Sequence, residues 1–161
     1  MASREPLRLN GVAHLYITVA DYERCRPFYE QLLAFWGMEC LVRTDELYYC
    51  VGSRTGIGIR AASGEHRNTP FDQLRAGLHH LCLRAYSRED VDRVHAFVVE
   101  LGAKIVHAPR DDDWASGYYS VLFEDPCGTR LEVNHVPGKG NLDGSVELPL
   151  RHELQGRLSE S

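Results

Sequence analysis

Lysine is almost missing from this chain: only Lys104 and Lys139 occur among its 18 basic residues, the rest being arginine. Positive charge is also in deficit, with 23 acidic residues giving a formal net charge of −5. That balance provides no general attraction for nucleic acid or for an anionic membrane surface. Long apolar runs are missing too, and none approaches the ~20 residues of a membrane-spanning helix. The opening stretch "MASREPLRLNG" lacks the apolar segment of a secretory signal, so a cytoplasmic location is expected. Five cysteines (Cys25, Cys40, Cys50, Cys82 and Cys127) are scattered without a CxxC pair. In a reducing compartment they are expected to be small core residues or idle thiols.

What is present is ordinary for a soluble globular protein: 161 residues, 43% hydrophobic and 25% charged. That length suits one compact domain, or two small halves sharing a core, with about two-thirds of the unfolded surface buried on folding. Two halves are visible. "GVAHLYITVADYERCRPFYEQLLAFWGMECLV" in the first and "GLHHLCLRAYSREDVDRVHAFVVELGAKIV" in the second begin alike, with glycine, two variable residues, histidine and leucine. Each continues as an alternating strand and then as a helical pattern ending near a glycine, Gly37 or Gly102. In the first helix Tyr22, Cys25, Tyr29, Leu32 and Trp36 recur at helical spacing, Asp21 is the expected N-cap, and Pro27 is an awkward interior residue. In the second, Val91, Val94, Phe97, Val98 and Leu101 share a face and Ser87 is the expected cap.

Three extended segments follow each helix, 38–43, 47–52 and 56–62 in the first half, then 104–108, 117–124 and 129–135 in the second. Each half therefore reads as β-α-β-β-β. The expected organisation is module 1 over 10–62, a polar linker over 63–76, module 2 over 77–136, and a C-terminal tail over 137–161.

Two such modules carrying "GVAHLYI", "FYEQLLAFWG", "GLHHLCLRA" and "FEDPCGTRLEV" in order resemble the vicinal oxygen chelate superfamily. That group includes glyoxalase I, the fosfomycin and bleomycin resistance proteins, methylmalonyl-CoA epimerase and extradiol dioxygenases. The resemblance covers residues 10 to about 136. It implies an α+β fold whose two βαβββ modules pair into a curled, cup-shaped mixed sheet with a metal at the base.

Side-chain alternation can be applied to the strands directly. In 11–19, His14, Tyr16 and Thr18 oppose the apolar Ala13, Leu15, Ile17 and Val19, which should pack on the helix. In 77–85, His80, Cys82 and Arg84 share one face, while His79 falls with Leu81 and Leu83 toward the helix or a module interface. In 129–135, Glu132 lies with Arg130 and Asn134, opposite Leu131 and Val133. The family's ligand positions are the first-strand histidines and the acidic residue of each fourth strand. Carried over, they imply His14, His80 and Glu132 as metal ligands. The remaining position, from aligning "TGIGIRA" with "CGTRLEV", falls on Arg60, whose fixed positive charge cannot coordinate a cation.

Two imidazoles and one carboxylate suit a single divalent ion with open positions, Fe, Mn, Zn, Ni or Co. The competing reading is a metal-free pocket, as in drug-sequestering relatives. Arg60 has two roles open to it, gripping an anionic group of a substrate or forming a salt bridge elsewhere. Tyr16 shares the face of His14 and is a candidate pocket-lining residue. Of Tyr118 and Tyr119 one should face in, and Tyr119 is the expected one because it shares parity with Val121 and Phe123. Trp114, in the acidic loop "DDDWASGYY", could close over a bound ligand.

The resemblance implies that a bound ion stabilises an oxyanion or enolate on a small oxygen-bearing substrate. Extradiol ring cleavage is disfavoured: the family signature expects a tyrosine where Leu122 stands and a histidine in the region of Trp114 to Gly117. A carboxylate at the position of Arg60, which glyoxalase I uses as a base, is missing. Lyase or isomerase chemistry is placed slightly ahead of dioxygenase chemistry, and a metal-free drug- or metabolite-binding protein is the alternative. The expected partners are a small-molecule substrate and a second copy of the chain in a homodimer.

Overall fold

The computed structural model describes residue 9 and residues 11–138. The expected tail lies outside the described residues except for Pro137 and Gly138. The chain divides into two compact units between Pro70 and Phe71.

The first unit runs β1 (His14–Val19), α1 (Tyr22–Phe35), β2 (Glu39–Arg43), β3 (Leu47–Gly52) and β4 (Thr55–Ala61), followed by a single 3₁₀ turn, Gly64–His66. Its sheet has the order β1-β4-β3-β2, with β1 parallel to β4 and the other pairs antiparallel. The second unit repeats the plan with β5 (Leu81–Arg84), α2 (Arg88–Glu100), β6 (Lys104–Asp112), β7 (Tyr118–Glu124) and β8 (Arg130–His135), in the order β5-β8-β7-β6. Among the described residues, two α-helices and two four-stranded mixed sheets give the α+β arrangement of two βαβββ modules expected from the sequence.

Both helices start where a side chain can take over an unpaired backbone donor. The Asp21 carboxylate accepts from the Arg24 amide at 3.0 Å, and the Ser87 hydroxyl accepts from the Asp90 amide at 3.1 Å. Pro27 sits inside α1 and the helix runs through it. Losing one amide is offset by the apolar stripe beneath, in which Cys25, Leu32 and Leu33 are fully buried. That stripe meets Ile57 and Ile59 of β4 and Tyr48 and Cys50 of β3, all buried. In the second unit Val91, Val94 and Val98 of α2 lie against β7 and β8, whose Val121, Phe123, Leu131 and Val133 are buried. Each such aliphatic side chain contributes roughly 1.5–3 kcal/mol relative to exposure.

β6 extends to Asp112, four residues past the expected end. The acidic residues Asp111 and Asp112 pair with Tyr119 and Tyr118 across the ladder, so the loop expected over 111–119 shrinks to Asp113–Gly117. β5 is shorter than expected and begins only at Leu81.

Candidate functional site

Glu132 owes its position to the turn that precedes β8. Asp125 is buried, and its Oδ1 accepts from the amides of Cys127 at 2.7 Å and Thr129 at 2.8 Å. The Gly128 amide donates to the Asp125 carbonyl at 3.0 Å, and Gly128 takes the left-handed φ of +90° that closes the turn. The reversed chain re-enters the sheet with Arg130 opposite Glu124 and Glu132 opposite Leu122. Alternation then sends Leu131 and Val133 into the core, and the Glu132 carboxylate to the other face.

On that face the carboxylate is buried and fully engaged. The Tyr118 hydroxyl donates to Oε1 at 2.6 Å within the protein interior. Nε2 of His80 lies 3.0 Å from Oε2. Burial alone would raise the Glu132 pKa, but the hydrogen bonds from His80, Tyr118 and Ser120 outweigh it, and the group is held below the ordinary glutamate value. Tyr118 is pushed well up by burial and by its bond to Glu132, so it stays a donor. Cys82 is the β5 partner of Glu132. Crowding by protein atoms and then the Glu132 carboxylate push its thiol up to about 12, although the residue keeps an exposed surface. It is a protonated thiol at neutral pH, in keeping with an idle cysteine.

His79 is placed differently from the alternation argument. Its Nδ1 lies 2.7 Å from Nδ1 of His80, with the rings edge to face at 5.0 Å. Alternation does not carry back to residue 79 because the strand starts at Leu81. The order His79, His80, Glu132, Tyr118 is therefore one continuous chain of polar contacts inside the second unit.

In the first unit β1 and β4 expose the expected face. His14, Tyr16 and Thr18 are accessible, while Ile17 and Val19 are buried. Tyr16 stacks on Tyr49 of β3 with centroids 5.7 Å apart and planes 16° apart, and His14 meets the Tyr16 edge at 5.7 Å. The rings lie over a floor of two glycines. A Cβ on Gly58 would collide with the Tyr16 ring, and one on Gly56 with the Tyr49 hydroxyl. Tyr49 was not among the expected site residues; it shares the more accessible face of β3 with Leu47 and Val51, opposite buried Tyr48 and Cys50.

The register corrects the place given to Arg60. Tyr16, two residues after His14, pairs with Gly58, and Cys82, two residues after His80, pairs with Glu132. The counterpart of Glu132 in the first unit is therefore Gly58. Arg60 pairs with Thr18 and corresponds to Asn134, which pairs with Arg84. It lies two residues further along the strand, exposed and on the same face as Tyr16. A glycine, its side-chain space filled by the Tyr16 ring, stands where a fourth ligand was sought.

Tyr119 is also corrected. Its hydroxyl donates to Asp92 of α2 at 2.7 Å, and the Arg88 guanidinium lies 3.7 Å above its ring, so it faces the helix. Parity with Val121 and Phe123 is parity with the helix-facing core, and Tyr118 is the tyrosine on the Glu132 side. Trp114 lies in the turn between β6 and β7 and is 39% exposed.

The profile of the glyoxalase/bleomycin resistance protein/dioxygenase superfamily matches residues 11–133, spanning both units. The chain belongs to this superfamily. An uncharacterised protein of Pseudomonas aeruginosa is 29% identical over 146 residues, covering 86% of this chain and 96% of that protein. A crystal structure of a candidate glyoxalase from Bacillus halodurans superposes with a TM-score of 0.69 at 25% identity, over 79% of this chain and 96% of its own. A lactoylglutathione lyase of Agrobacterium tumefaciens shares the fold, with a TM-score of 0.58 at 20% identity over 79% of this chain and 94% of its own.

Superfamily members commonly hold a metal, and the donors in the second unit fit one in part. The imidazole nitrogen of His80 and the carboxylate oxygen of Glu132, 3.0 Å apart, are donor types that a divalent cation would take. Tyr118 occupies the other carboxylate oxygen, as an outer-shell partner of a ligating carboxylate does. Among the described residues, no three or more His, Cys, Asp or Glu side chains stand together in metal-holding geometry.

Proposed function

We propose that this superfamily member is a metal-dependent enzyme in which His14, His80 and Glu132 hold one divalent ion, Fe, Mn, Zn, Ni or Co. The observation that carries the reading is the buried Glu132 carboxylate, with Tyr118 on one oxygen and His80 beside the other. A carboxylate held ionised in a buried position is a costly feature that a cation offsets. Such an ion, when bound, polarises an oxygen of a small substrate and stabilises an oxyanion or enolate.

The chain's own residues supply the rest. Tyr118 holds Glu132 by Oε1, with Oε2 turned toward His80. Tyr16 and Tyr49 offer a stacking surface for a planar part of the substrate, and Arg60 offers a charged grip for an anionic group. A glycine at 58 leaves that position without a proton-accepting side chain, which argues against the glyoxalase I reaction. Leu122 in place of the tyrosine of ring-cleaving relatives, and no histidine between Trp114 and Gly117, keep lyase or isomerase chemistry ahead of extradiol cleavage. A homodimer in the cytoplasm is part of the same proposal; no helix among the described residues is long and apolar enough to cross a membrane.

Metal analysis after reconstitution tests it: about one equivalent of transition metal is expected, with His14→Ala and Glu132→Gln each losing most of it. Retention below ~0.2 equivalents in the wild-type protein would move the assignment to a second reading, a metal-free drug- or metabolite-binding protein. That reading is favoured by the Tyr16–Tyr49 stack and by His80 and Glu132 already satisfying each other as a hydrogen-bonded pair.

A further inference from the structure

Two cysteines far from the candidate metal ligands face each other across one ladder. Cys40 of β2 and Cys50 of β3 are direct partners in the antiparallel register, immediately before the bulge between Cys40 and Val42. Direct partners project their side chains to the same face of the sheet. Facing residues of an antiparallel ladder have Cα atoms about 4.5–5.5 Å apart, inside the roughly 4.4–6.8 Å span that a disulfide bridges. The thiols are in contact: burial, above all, raises the Cys50 pKa, and a hydrogen bond with the Cys40 side chain adds to it. Their surroundings differ. β2 is the outer strand of its sheet and Cys40 is exposed, whereas Cys50 is completely buried. The Cys40 thiol donates only a weak bond, to the Val42 carbonyl at 3.5 Å.

We propose that Cys40 and Cys50 are a reversible oxidation site, at which a small-molecule disulfide converts the two thiols into a cross-strand disulfide. Cys40 reacts first because a reagent reaches it from solvent. Its thiolate attacks one sulfur of the small disulfide, a bond forms to Cys40 Sγ, and the reagent's own sulfur–sulfur bond breaks to release a thiolate. Cys50 then resolves this mixed disulfide. It gives its proton to the released thiolate, its sulfur bonds to Cys40 Sγ, and the second small thiolate leaves. The balance is two protein thiols oxidised and one small disulfide reduced to two thiols. The product ties the exposed outer strand β2 to β3, beside Tyr49. Cys82, another exposed thiol, has Glu132 as its ladder partner and no cysteine opposite to resolve it. None of the proposed metal ligands takes part, so the inference does not depend on the metal reading.

The test incubates the reduced full chain with excess oxidised glutathione at neutral pH without denaturant. Remaining thiols are alkylated, and tryptic peptides are mapped by mass. Trypsin cuts after Arg43, between the two cysteines, so only the new bond holds their peptides together. Wild type is expected to lose the mass of two hydrogen atoms, to yield the linked peptides, and to regain both thiols in dithiothreitol. Cys40→Ser changes an exposed side chain and should abolish the linkage, which also separates Cys40 from Cys25 in the same peptide. Cys50→Ala should retain one glutathione on Cys40, since nothing resolves the mixed disulfide. If wild type keeps both thiols, or keeps glutathione on Cys40, the inference is overturned. A Cys50 linkage that survives in Cys40→Ser overturns it as well. Wild type and Cys40→Ser decide the matter even where Cys50→Ala does not fold.

Discussion

Removing one oxygen atom tests the central polar contact of the second unit. In Tyr118→Phe the ring stays in its buried place beside Ala115 and Val136, and Oε1 of Glu132 loses its 2.6 Å donor. A hydrogen bond to a charged group contributes about 1.5–3 kcal/mol, and a neutral one about 0.5–1.5 kcal/mol. The loss at pH 7 should therefore be about 2 kcal/mol, falling to about 1 kcal/mol once Glu132 is protonated. The direction with pH follows from Glu132, whose folded-state pKa lies below the ordinary 4.5. A depressed carboxylate stabilises the fold fully above its unfolded pKa, and that stabilisation is lost as pH falls through the folded pKa. The gap between wild type and variant should thus be widest at neutral pH and narrow below pH 4.5. The pH-dependent part, about 1 kcal/mol, corresponds to an upward shift of the Glu132 pKa by a little under one unit. Urea unfolding of metal-free protein, followed by tryptophan fluorescence at pH 7 and near pH 4, measures the gap, and carboxyl NMR titration measures the shift. A gap under ~0.5 kcal/mol at pH 7, or a Glu132 pKa that does not rise in the variant, would refute the reasoning.

The glycine floor of the first unit predicts a coupled pair: Gly58→Ala should destabilise by about 1–3 kcal/mol, and adding Tyr16→Ala should restore most of it. A double-mutant cycle in urea showing simple additivity would mean that the Tyr16 ring does not occupy that space. Tyr119→Phe, which loses only a surface contact to Asp92, should move the unfolding midpoint far less than Tyr118→Phe does, measured side by side. Leu32→Ala, at the centre of the α1 stripe, should cost about 2–5 kcal/mol in the same assay. Gly128→Ala forces a Cβ into the left-handed region and should cost about 1–2 kcal/mol.

Much of this protein was legible one residue at a time. The paired glycine–histidine–leucine openings announced two copies of one module. Asp21 and Ser87 marked the helix starts because each offers an oxygen three residues before an unpaired amide. Glu132 could be assigned to the face opposite Leu131 and Val133 because period-two alternation is a local property of a strand. The pleat also separated Tyr118 from Tyr119, but only the packing of α2 on β7 told which face was which. Parity with Val121 and Phe123 pointed to the helix side, since that is where those residues are buried.

Register was the other thing the chain order could not supply. Matching "TGIGIRA" to "CGTRLEV" by their glycines put Arg60 opposite Glu132. Strand pairing put Gly58 there instead, because register is set by which residues bond across β1 and β4, about forty positions apart. His79 shows the same limit at a strand end. Alternation predicted its direction only on the assumption that β5 already extended to it, and the backbone enters the sheet two residues later. Local pattern was enough to set the helix starts and the apolar face of each strand, and with it the side on which Glu132 stands. Only the tertiary structure decided which side chains touch, because a contact depends on backbone hydrogen bonds between segments whose separation along the chain carries no record of their pairing.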